Sequence, residues 1–206
     1  MIEIASKSTG TKVINKPSGL VVGDLMVAVI SVVRSAITGA PTGWTLVDSN
    51  NLTYNFCSVY KKIATADDVS ATSFTWTSSY NGSGIIYRIS QADFEKVEMG
   101  ASSITPQSKN NIVLVIGLAS DNDDDVATFS AYSVTGGMSP TFTEDLDTYA
   151  GSSSYYASVG VASALYTSNS AITSFGVTVS GAVDQNTKSL VIIGEKPVTN
   201  NFFHFF

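Results

Sequence analysis

The chain has 206 residues, of which 44% are hydrophobic and only 14% charged, with a formal net charge of −6. That length suits one large domain or two small ones around a sizeable core. The acidic balance, with a pI near 4.6, argues against nucleic acid or an anionic membrane as partner, and the single Cys57 excludes an intrachain disulfide framework.

No apolar run approaches the roughly 18 residues of a membrane span. The longest, Leu25 to Val33, is interrupted by Ser31. Neither a basic n-region nor an apolar h-region follows Met1, so the expectation is synthesis and folding in a cytoplasm. Low charge with abundant Ser, Thr and Gly suggests an all-β protein with much surface against other protein.

Strand signals recur along the chain. "DLMVAVISVV" (24–33) reads as a strand buried on both faces, and "WTLVDS" follows a Pro-Thr-Gly turn. In "NFCSVYKKI" (55–63), Phe56, Ser58 and Tyr60 share one face, while Cys57, Val59 and Lys61 share the other. "TADD" (65–68) reads as an acidic turn, "TSFTWT" pairs Phe74 with Trp76, and "GIIYRIS" follows the "YNGSG" turn. The best helical candidate is "SQADFEKVEMG", where Ser90 could cap. The stretch 101–110 then reads as a crossover.

The second half repeats the first in kind and order. "NNIVLVIGLAS" (110–120) is again a buried-type strand. "SPTFTEDL" answers "APTGWTLV", "YYASVGVASALY" answers "NFCSVYKKIA", "ITSFGVTVS" answers "ATSFTWTSS", and "SLVIIGE" answers "GIIYRIS". The expectation is an all-β, antiparallel two-sheet sandwich, jelly-roll-like, spanning 1–196 and built of similar halves at about 11–100 and 110–195. Residues 197–206 would form an apolar tail. Phe74, Trp76, Phe175, Val177 and Val179 should point into one core shared by both halves.

Four stretches, "KPSGLVVGDLMVAVIS", "PTGWTLVDS", "SVYKKIATADDVSATSFTWT" and "GSGIIYRIS", together resemble a β-sandwich domain of tailed-bacteriophage virion proteins, both head decoration and tail or fibre proteins. The resemblance runs from about Lys16 to Glu195. It implies a tight turn at Gly23-Asp24, a core anchor at Trp44, a structural or adhesive role, and no catalytic residues. It implies a virion location and, because the chain starts almost at the domain, favours a free-standing capsid accessory protein over a fibre tip. The expected partner is the major capsid protein or another virion protein, and the expected state a homo-oligomer.

Candidate sites are few. Asp121, Asp123, Asp124 and Asp125 in "SDNDDD" offer oxygen ligands suited to Ca²⁺, but the EF-hand pattern fails, and a solvated acidic loop is the plainer reading. No other cofactor is implied. Tyr54, Tyr80, Tyr149, Tyr155 and Tyr156 stand amid Ser, Gly and Asn, the composition of adaptable binding loops that could take a host glycan. It is also the composition of hairpin ends. The only histidine, His204, lies in the terminal "NNFFHFF", and no motif specifies an enzyme. Phe202, Phe203, Phe205 and Phe206 would present roughly 600 Å² of apolar surface if exposed. With His204 they are the expected docking segment for another chain.

Overall fold

A computed structural model of the chain describes residues 1–197 apart from 101, 124 and 153. The first half contributes β1 (Glu3–Gly10), β2 (Val13–Asn15), β3 (Leu25–Val33), β4 (Thr45–Asn51), β5 (Asn55–Ile63), the helix α1 (Ala66–Ser70), β6 (Ser73–Thr75) and β7 (Gly82–Ser90). The second contributes β8 (Ala92–Gly100), β9 (Asn111–Asp121), β10 (Thr128–Thr135), β11 (Thr143–Ser152), β12 (Tyr155–Tyr166), β13 (Ser174–Ser180) and β14 (Gln185–Glu195).

Each half makes one five-stranded antiparallel sheet, in the orders β1-β7-β3-β5-β4 and β11-β12-β9-β14-β8. The sheets face each other across a core of Leu25, Val27, Val29, Val59, Ile85 and Tyr87 from the first half and Leu114, Ile116, Val159, Val161, Val191 and Ile193 from the second. Fully burying each such aliphatic side chain stabilises by about 1.5–3 kcal/mol before entropy is counted. This core is shared by the two halves.

Both sheets are also covered on their outer faces, which explains why every residue of β3 and of β9 is buried. The outer face of the first sheet (Met26, Ala28, Ile30, Ile86) lies under the β2–β6 ribbon with Trp44, Phe74 and Trp76. Trp44 meets Phe74 and Trp76 edge-on at 5.5 and 5.3 Å between ring centroids. The outer face of the second sheet lies under the β10–β13 ribbon, where Phe129 rests on Gly117 and Gly160, a cross-strand pair of β9 and β12. A Cβ at Gly160 would stand 2.5 Å from Phe129.

The halves match in detail. β3, β4, β5, β6 and β7 occupy the same places as β9, β11, β12, β13 and β14. Even the irregularities repeat. β4 bulges between Leu46 and Asp48 opposite Tyr60 and Val59, and β11 bulges between Glu144 and Leu146 opposite Ala162 and Val161. The bridge Ile104↔Ile172 takes the place of β2–β6, and Gly39↔Thr77 that of β10–β13. Across the core β3 meets β12 and β5 meets β9. Each half thus sets its central strand against the other's neighbouring strand, the arrangement of an isologous dimer within one chain.

Several expectations are corrected. Phe74 and Trp76 belong to the first half's outer core, Phe175 and Val177 to the second's, and Val179 packs beside Phe129. Period two placed them on one face, but each sheet is apolar on both faces, and theirs is the outer layer. Strands of a jelly roll alternate between sheets along the chain; here each sheet draws on one half alone. "SQADFEKVEMG" is strand β8, paired to β14, and its charges suit an edge strand. The halves therefore divide at Gln91 (φ 56°), and the stretch taken as a crossover lies inside the second half. The helix is at "TADD" instead: Thr65 and Asp68 form a reciprocal capping box, and Lys62 reaches Asp68 at 2.6 Å.

Candidate binding site

The register places the chain's features at two poles. One pole carries Met1, whose amino group lies 3.2 Å from Glu195, together with the start of β9. The other collects the end of β3, the β4–β5 turn, the approach to β7, and the loops around β9, β11, β12 and β14. Both halves build this second pole, and side chains lock it. Asn55, fully buried, donates to the carbonyls of Ala119 (3.0 Å) and Ser158 (2.8 Å) across the core and accepts from Ser31. Asn81 donates to the Gly151 carbonyl at 2.7 Å, and the Thr53 amide to Gln185 at 2.9 Å.

On this frame sits a stack. The Arg34 guanidinium lies over the rings of Tyr155 (4.1 Å) and Tyr80 (5.1 Å), and Tyr155 in turn meets Tyr54 at 4.7 Å. Arg34 has φ 61°, in the left-handed region that few non-glycine residues occupy. Its amide donates to the Tyr54 carbonyl at 3.0 Å, which holds that turn. Three of the sequence-identified tyrosines, Tyr54, Tyr80 and Tyr155, therefore converge on Arg34. Tyr149 and Tyr156 pair with each other at 5.8 Å. Adjacent strand residues point to opposite faces, so this second pair lies on the outer side of its sheet, away from Tyr155.

The sequence does not mark Arg34. The visible signal was a lone base ending a nine-residue apolar strand; its backbone conformation and the ring from the other half were invisible.

The acidic loop shares this pole. The Asp121 carboxylate, nearly buried, accepts from the amides of Asp123 and Asp184, and Asp184 accepts from the amide of Asn122. These carboxylates thus order backbone. Asp123 and Asp125 are exposed, and Asp124 lies outside the described residues. Among the described residues no group of three or more His, Cys, Asp or Glu is placed to hold a metal ion. Burial raises the Cys57 thiol to about 12, so it is no thiolate nucleophile at neutral pH. The docking residues Phe202, Phe203, His204, Phe205 and Phe206 lie outside the described residues. Among those described, no helix is long and apolar enough to cross a membrane.

Comparison with family models, with curated proteins and with solved structures finds no match.

Proposed function

We propose that this protein is a structural component of a bacteriophage virion, a decoration protein that binds the major capsid lattice as a symmetric oligomer. The observation that carries the reading is that the four stretches resembling virion domains make one unit. They supply β3, β4, β5, α1, β6 and β7, four of the five strands of the first sheet and much of its cover. Within that unit Gly23 turns at φ 93°, Asp24 accepts from Arg88 at 2.6 Å, and Trp44 is buried. The lattice gains stability by mass action, because subunits bound across capsomer boundaries favour the closed shell. The segment Phe202–Phe206 is the proposed anchor; the described chain leaves β14 at Glu195, at the pole opposite the tyrosines.

The test is sedimentation of the purified chain with shells of the major capsid protein. The full chain should bind to saturation, and a form lacking residues 202–206 should fold and not bind. Apolar burial is little weakened by salt, so binding should survive salt that screens charge pairs. Failure of the full chain to bind would end this reading.

A second reading is a tail- or fibre-associated module recognising a host-surface glycan. It is favoured by the gathering of Tyr54, Tyr80 and Tyr155 around Arg34 at an exposed pole.

A further inference from the structure

The Arg34 stack can do two things. It can staple the halves, since Arg34, Tyr54 and Tyr80 come from the first and Tyr155 from the second. It can also present a guanidinium. Arg34 is exposed, and among the described residues no carboxylate pairs with it. A staple needs no exposed cation; Met or Leu would pack two rings without one. Fixed between rings, the guanidinium has given up its rotamer freedom in advance, so its donors engage a planar anion at reduced entropic cost. A second cation lies close by. Lys12 donates to the Ser78 carbonyl at 2.7 Å, two residues from Tyr80, and is likewise unpaired among the described residues. Among the described residues, the loop carboxylates Asp121, Asp123, Asp125 and Asp184 of this pole belong to the second half. An anionic ligand is therefore favoured on the first half's side, where Arg34, Lys12 and Tyr80 stand.

We infer that this corner of the pole binds a carboxylate-bearing saccharide, a uronate or similar acidic sugar. The carboxylate pairs with the Arg34 fork, and the sugar ring lies on the half-buried Tyr80 beside it. The tyrosines supply a flat apolar face for the axial C–H groups of a pyranose, and Asn81 offers an amide beside them. The inference rests on the glycan-recognition reading of this pole and names its ligand class.

The test uses the full chain with three probes: oligogalacturonate, its neutral methyl ester, and acetate as a carboxylate without a sugar ring. Amide chemical shifts are followed with each. Oligogalacturonate should shift residues around Arg34 and Tyr80, more weakly as salt is added, while the ester and acetate bind about tenfold or more weakly. Arg34→Gly should lose that binding and keep its melting temperature, because glycine relieves the left-handed conformation while the cation–π contact is lost. Tyr80→Leu should weaken the acidic probe with Arg34 intact. Equal binding of the ester would keep glycan recognition and overturn the acidic ligand. Binding of acetate as tight as the oligosaccharide would overturn the sugar. Unchanged binding by Arg34→Gly would overturn the site, and no binding of any probe would overturn both this inference and the glycan reading, leaving the stack a staple.

Discussion

Single side chains tie the two sheets where apolar packing alone would let them slide. Asn55 is the clearest: its buried side chain accepts from Ser31 of its own half and donates to the Ala119 and Ser158 carbonyls of the other. Asn55→Leu removes the donor to two buried carbonyls and the acceptor of the Ser31 hydroxyl, so stability should fall by about 2–3 kcal/mol. Urea unfolding measures this; a loss no larger than that of an exposed substitution would mean water replaces the amide. Asp68 gives a pH signature. Burial works against its ionisation, but the Lys62 ammonium and the Thr65 amide and hydroxyl outweigh it and hold the carboxyl below its usual range. A carboxyl depressed in the folded state contributes stability that is full above the unfolded value of about 3.9 and is lost as pH falls through the folded one. Stability should therefore drop below about pH 4, and Asp68→Asn should be less stable at neutral pH and flatter across that window. A parallel curve for the variant would assign the acid loss elsewhere.

At the scale of elements, what the sequence made legible follows from periodicity. The near-continuous apolar runs of β3 and β9 identified the central strands, and the order of the five matching segments matches the duplicated topology. Alternation could not say which apolar face looks inward, since both faces of both sheets are covered. That is why Phe74 and Trp76 were assigned to the wrong layer. The edge strand β8 read as helix because its Glu95 and Lys96 protect an edge, a role that local sequence does not distinguish from a helix surface. The Arg34 stack depends on a ring from the other half, and no local pattern encodes that contact. The two covers solve one packing problem differently: tryptophans fill the first, and bare glycines admit Phe129 in the second. Gly160→Ala should lift Phe129 off β12 and destabilise by about 1–3 kcal/mol. The aromatic-ring NMR signals of Phe129 should shift with it; an unchanged melting temperature would show that the β10–β13 ribbon is not seated by that ring.

The whole molecule is two copies of one unit closed on each other, with the chain's first residue and Glu195 at one pole and a preorganised aromatic corner at the other. On the proposed reading the molecule attaches to a lattice and is present in many copies. The most direct measurement is the ratio of this chain to the major capsid protein in purified virions, by mass spectrometry with isotope-labelled peptides. The account predicts a constant ratio set by the number of capsomers. A ratio matching the single tail would contradict it in favour of the adhesin, and absence from the virion would contradict both.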